Sequence, residues 1–236
     1  IRDKMPEWKQ RHDGVENMPL AVQYGIFLQN LLQGDLGRSI RTNSPVWEEI
    51  ASRVPATVLL AVCGMLLAVL FGFPLGILAA RKQNSWQDTC TSSLALLGFS
   101  IPNFWAGLML MLLFSVAIPI LPSSGYGQWN NLVLPALTLG VQIMAVIARM
   151  TRSSVLEVVR QDYVRTARAK GLAERAVLWR HAVRNALIPG VTIAGLYFGI
   201  LLGGVVVTET VFSYPGIGRL LVESIRSHDY PLVQGG

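Results

Sequence analysis

Four stretches of almost unbroken apolar residues limit what this chain can fold into. They run from Pro55 to Ala80, Thr89 to Ile118, Leu132 to Ala148 and Ile188 to Val207. A bilayer core about 30 Å thick takes roughly 20 apolar residues of helix to cross, so each block reads as a membrane span. Composition agrees. Only 14% of residues are charged and 52% are hydrophobic, whereas a soluble domain is about 25% charged. The expected fold is therefore all-α, a polytopic transmembrane helical bundle.

Within the blocks, Gly72 and Pro74 are residues that membrane helices tolerate. The second block would make about 45 Å of continuous helix, more than the core needs. Pro102 falls inside it and predicts a tilt, a kink or a break into two pieces. Gly190, Gly195, Gly199, Gly203 and Gly204 in the fourth block predict close helix packing, because small residues let backbones approach in lipid.

Charge sets the orientation. Arg81 and Lys82 lie on one side with Arg149, Arg152, Arg160, Arg165, Arg168, Lys170, Arg175, Arg180 and Arg184, while the loop 119–131 carries no charge. Positive loops stay inside, which puts 149–187 in the cytoplasm and 1–50, 119–131 and 208–236 outside. The net charge of +6 follows from these loops. Nucleic acid is not an expected partner, since no aromatic residues interleave with the basic ones.

Residues 1–50 open with Arg2, Asp3, Lys4, Glu7, Lys9 and Arg11, then carry an amphipathic run from Leu20 to Leu32 and a turn at Gly34-Asp35-Leu36-Gly37. They read as an outward-facing amphipathic segment resting on the bilayer or on the other spans. Residues 51–236 form the transmembrane domain. Cys63 and Cys90 are isolated in apolar surroundings and read as packing residues. His12, His181 and His228 are scattered, and no paired metal-ligand spacing occurs.

The loop 149–187 is far longer than a link between two spans requires. Asp162 to Lys170 reads as a helix ended by Gly171, and a second helix follows from Ala173 to Arg184. One reading is a basic loop held by anionic lipid headgroups. The other is a docking element for a cytoplasmic motor.

The run DYVRTARAKGLAERAVLWRHAVRNALIP resembles the cytoplasmic coupling loop of binding-protein-dependent ABC importers, and within them the permeases for dipeptides, oligopeptides, nickel and glutathione. Gly34-Asp35-Leu36-Gly37, Ile101-Pro102-Asn103-Phe104-Trp105, Leu134-Pro135-Ala136, the stretch 148–154, Thr208-Glu209-Thr210-Val211-Phe212, the stretch 214–219 and Asp229-Tyr230-Pro231 extend the resemblance along the chain in order. The general importer signature begins Glu-Ala-Ala. Here Arg165-Thr166-Ala167 stands in its place, with Gly171 retained, as is typical of the peptide-type branch.

The resemblance implies a type I ABC importer permease in the cell inner membrane. Its coupling residues would be Arg165, Thr166, Ala167, Arg168, Ala169, Lys170, Gly171 and Leu172, and its spans would switch between inward-open and outward-open states by rigid-body motion. Implied partners are a second homologous permease chain, two cytoplasmic ATPase subunits, an extracytoplasmic solute-binding protein and membrane lipid. The chain itself is expected to be no enzyme and to bind no cofactor, with ATP and Mg on the ATPase subunits; no phosphate-cradling Gly-Lys-Ser/Thr loop is present. Di- and oligopeptides lead as cargo, with nickel, a metal chelate or glutathione as alternatives. The family pattern also has one span before Ile1 and one after Gly236.

Asn103, Glu209 and Tyr214 are the candidates for the translocation path or outer gate. An ionisable group near membrane depth is a functional candidate, although the boundary position of Glu209 also suits a structural hydrogen bond and Asn103 also suits a satisfied helix kink. Met109 and Met111 read as packing residues. A channel or secondary transporter independent of ATP is the alternative of another class. It would have no use for a long helix-Gly-helix loop, and would more often carry charges inside its spans.

Overall fold

The structure is a computed structural model in which residues 19–203 and 205–236 are described. The charged opening run with Arg2, Asp3, Lys4, Glu7, Lys9 and Arg11, as well as His12 and Gly204, lies outside the described residues. Among the described residues the regular structure is helical, with one isolated bridge between Arg38 and Pro45. The described residues form two compact units, one of Ala56–Arg219 and one in which the residues up to Pro55 join Leu220–Gly236.

The helices are α1 (Leu20–Leu32), α2 (Val46–Arg81), α3 (Trp86–Ser100), α4 (Asn103–Met111), α5 (Trp129–Val159), α6 (Asp162–Ala169), α7 (Glu174–Ala176), α8 (Arg184–Gly203), α9 (Val206–Val211), α10 (Ile217–Arg226) and α11 (Tyr230–Gly235). A π-helical segment extends α4 over Leu112–Ala117, and another joins α7 to α8 over Val177–Val183. Helices α2 and α5 and the run Glu174–Gly203 are long and apolar enough to cross a membrane.

The second apolar block breaks. Trp86–Gly98 and Asn103–Ala117 meet at 102°, with Ile101 and Pro102 extended between them. Proline has no amide hydrogen and disfavours helix at the residue before it, which is why the chain turns there.

The core of the larger unit is built on a ridge of small residues. Gly64, Ala68, Gly72 and Gly76 recur every four positions on α2 and so share one face. A Cβ on Gly64 would lie 3.2 Å from the Leu139 Cβ, and one on Gly72 would lie 3.0 Å from Ile147. On Gly76 it would strike Thr151 of α5 at 2.6 Å. Small-xxx-small spacing lets two backbones approach closely where no water is present to drive association. Leu60, Leu139, Ile143 and Ile147 fill the space around this crossing.

Two expectations change here. The close glycine packing predicted for the fourth block belongs mainly to α2. Gly190 does meet Phe73, but a Cβ on Gly195, Gly199 or Gly203 would meet nothing within 4 Å. The helix predicted after Gly171 is also continuous with the last span. The chain runs helically from Glu174 to Gly203 with Pro189 inside it, because the π-helical segment bridges the two pieces that the sequence suggested were separate. That span stops at Gly203, and the residues up to Val207 belong partly to α9.

Candidate functional site

Helix α6 is amphipathic, and its two faces do different work. Val164 and Ala167, three residues apart, are buried against Val177, with Val158 packed beside them. The opposite face leaves Arg165, Thr166, Arg168 and Ala169 exposed. Asp162 in the first turn and Arg168 in the last complement the helix dipole. Gly171 ends the element at φ +78, a left-handed conformation that costs glycine nothing and other residues a Cβ clash. Lys170, Gly171 and Leu172 are exposed at this turn.

Across the turn, the Arg168 guanidinium donates twice to Glu174, from Nε to Oε2 at 3.1 Å and from Nη2 to Oε1 at 2.7 Å. This hydrogen-bonded pairing raises the pKa of Arg168 above the usual arginine range. Arg165 lies 3.6 Å from Asp162, with both side chains largely in solvent, so that contact contributes little. Thr166 turns its hydroxyl back to the Asp162 carbonyl at 2.9 Å. Of the eight predicted coupling residues, therefore, Ala167 faces inward and the other seven are on the surface.

A second polar centre gathers around Glu209, which is fully buried. Its Oε1 accepts from the Thr57 hydroxyl at 2.7 Å, and its Oε2 accepts from the Arg219 amide at 3.0 Å. Thr57 in turn accepts from the Ile217 amide at 2.9 Å. The carboxylate thus sits at the first turn of α10, where unpaired amides and the positive end of the helix dipole favour an anion. A Cβ on Gly216 would collide with this carboxylate, so the Pro215-Gly216 turn needs the glycine for clearance. Tyr214 is buried and packs edge-on against Tyr126, with centroids 5.3 Å apart at 82°. Burial pushes the Tyr214 phenol up to about 12. Asn103 is half-buried in the first turn of α4, directly after the Pro102 break.

Two further pairs were not visible as such in the sequence. Arg152 on α5 binds Asp88 on α3 through both guanidinium arms, with Nη2 to Oδ2 at 2.7 Å, and Asp88 also accepts from the Asn84 amide at 3.0 Å. In the smaller unit, buried Asp229 accepts from the Ser39 hydroxyl and from the Ile40 amide at 3.1 Å. That bond joins the segment after Gly34-Asp35-Leu36-Gly37 to the Asp229-Tyr230-Pro231 segment. Arg152 and Asp229 stand in the sequence only as members of longer motifs, and residue spacing gives no sign of pairings so distant in the chain.

Residues 72–236 match the family described as "Binding-protein-dependent transport system inner membrane component". The chain is 49% identical over 224 residues to a glutathione transport system permease protein GsiC of Pectobacterium atrosepticum, covering 95% of this chain and 73% of that protein. It is 49% identical over 218 residues to the protein of the same name from Salmonella typhimurium and 46% identical over 218 residues to that of Escherichia coli K12, covering in each case 92% of this chain and 71% of the relative. A solved structure described as "Crystal structure of an amino acid ABC transporter with histidines" superposes with a TM-score of 0.61 at 15% identity, over 79% of this chain and 83% of that one. That likeness concerns the fold alone. Sequence and fold agree: the chain belongs to the binding-protein-dependent transport system inner membrane components, as a permease of the peptide- and nickel-type ABC importers.

Proposed function

We propose that this permease carries a short peptide of the glutathione class into the cell. The observation that carries the cargo assignment is the name shared by its relatives at 46–49% identity over more than nine-tenths of the chain. Glutathione, a tripeptide, is the alternative that the sequence reading sets beside its leading di- and oligopeptide class, and the relatives' shared name favours that alternative.

The translocation path runs between this chain and a second homologous permease, and an extracytoplasmic binding protein delivers the cargo. Residues 149–187 face the cytoplasm, and 1–50, 119–131 and 208–236 face outward. The exposed residues Arg165, Thr166, Arg168, Ala169, Lys170, Gly171 and Leu172 dock on an ATPase subunit, while Ala167 holds α6 to Val177. Two features support this role: a short helix packed on the body by one face only, and a turn braced by Arg168 and Glu174. ATP and Mg belong to the ATPase subunits, and this chain transmits their motion without chemistry of its own. Movement of a docked element as a rigid body then switches the spans between their two states.

Uptake into proteoliposomes holding the complete complex and its binding protein tests the cargo. Glutathione transported in preference to unrelated dipeptides, oligopeptides and nickel supports the reading. Preference for nickel or for longer peptides with glutathione excluded overturns it.

A further inference from the structure

The π-helical segment Val177–Val183 stands between the docking helix α6 and the last span. A π turn bonds each residue to the fifth along rather than the fourth, a rare arrangement that recurs at functional positions. Its two ends are anchored differently. At the start, Val177 is buried with Val164 and Ala167 of α6. At the far end, Val183 and Ala186 are buried with Ile77 and Ala80 of α2 and Val155 of α5. Apolar contact is non-directional, so the first anchor keeps α6 close without fixing its position along the segment.

Asn185, at the root of α8, supplies the missing direction. Its Nδ2 donates to the His181 carbonyl within the same helical run at 3.3 Å and to the Tyr163 hydroxyl of α6 at 3.1 Å. A side-chain amide has two hydrogens to give, and here each meets an acceptor. Asparagine is a weak helix former because its side chain competes for backbone groups. In this place the competing bond to His181 holds the amide still for α6. Val177 and Asn185 therefore grip α6 at two points, one at the start of the π-helical segment and one just past its end. Two separated attachments pass on rotation as well as displacement, whereas one alone lets α6 slide or swivel. We propose that Tyr163 and Asn185 are positioning residues that tie the docking helix to the root of α8, so that motion received at α6 is carried into the last span. The inference rests on the docking role of α6 and is independent of the cargo.

The test is hydrogen exchange of the complete complex in nanodiscs, read by mass spectrometry without nucleotide and with ATP and vanadate. Peptides covering 162–170 report the docking helix, and those covering 177–187 report the segment beyond it. In the unmodified complex both change on trapping. Tyr163→Phe keeps the ring and removes the hydroxyl, and Asn185→Leu removes both hydrogen bonds. In each variant 162–170 still responds, while the response of 177–187 falls about fivefold, the scale of one lost hydrogen bond. The double variant is no worse than Asn185→Leu, and Asn185→Gln, which keeps an amide donor, recovers part of the response. Uptake into proteoliposomes of whichever of glutathione, dipeptide or nickel the unmodified complex accumulates, divided by ATP hydrolysed, falls with it. Weakened ATPase docking would instead lower hydrolysis and uptake together. An equal response of 177–187 in the unmodified complex and both single variants overturns the proposal and leaves the docking role of α6 standing. Loss of the response at 162–170 in the variants also overturns it, since the residues would then only hold α6 in shape. No response of 162–170 in the unmodified complex rejects the docking role and the proposal with it.

Discussion

The Thr57 hydroxyl donates to the Glu209 carboxylate at 2.7 Å while accepting from the Ile217 amide at 2.9 Å. One side chain near the start of the apolar part of α2 therefore fixes both the carboxylate and the turn that opens α10. Glu209, a candidate for the outer gate, is here the polar centre of that turn.

Thr57→Val would leave one carboxylate oxygen and one amide with fewer partners in a buried place, a loss of about 1–3 kcal/mol. Gly216→Ala should cost more, because the added Cβ collides with the carboxylate itself. Unfolding of the purified permease in mixed detergent measures both. Equal stability of Gly216→Ala and the parent would show that the turn is not packed on Glu209.

Asp88 and Arg152 should behave as a unit. Asp88→Asn alone leaves a guanidinium half-paired near the membrane and should destabilise by about 1–3 kcal/mol, with a similar effect for Arg152→Gln. The double substitution should cost clearly less than the sum of the two, since neither charge then stands alone. A double-mutant cycle on unfolding free energy reads the coupling directly; additive costs would mean that the pair is independent.

Glycines at the same spacing should differ sharply between helices. Gly72→Leu or Gly76→Val would push α2 away from α5, and little folded permease should be recovered. Gly199→Ala faces open space and should leave folding of the chain unchanged. Expression and monodispersity in detergent separate the two cases, and equal tolerance would contradict the ridge on α2.

Tyr214 should give an alkaline signature. Its phenol is pushed up to about 12 by burial, so the folded state favours the neutral ring. The stability this provides is complete below the ordinary tyrosine range near pH 10 and is lost as pH rises through about 12. Absorbance at alkaline pH should show one late-titrating tyrosine that disappears in Tyr214→Phe. Titration of all tyrosines together near pH 10 would contradict its burial.

Much of this was legible from local pattern. Apolar block length announced the spans, Pro102 announced the break, and Gly171 announced the end of α6, because each acts through its own backbone or its own length. The pairings Thr57 with Glu209 and Asp88 with Arg152 were not legible, since nothing in local spacing ties residues so far apart. Ala167 carried a motif position but no sign of which face it occupies; only the contact with Val177 fixes that. The join at Val177–Val183 was not legible because the polar helix ending at Arg184 and the apolar block opening at Ile188 differ in composition, whereas the backbone runs helically through both with Pro189 inside.

The central claim is that the exposed face of α6 and the Gly171 turn pass motion between ATPase and permease. The most direct measurement is substrate-stimulated ATP hydrolysis by the complete complex in nanodiscs, with Arg165→Glu and Gly171→Pro in this chain. The account predicts that both variants keep their spans inserted and lose most of the stimulation by loaded binding protein, at least tenfold for Gly171→Pro, whose ring cannot adopt the positive φ. Full stimulation in both variants, with the complex still assembled, would contradict it and return the basic loop to a role at the lipid surface.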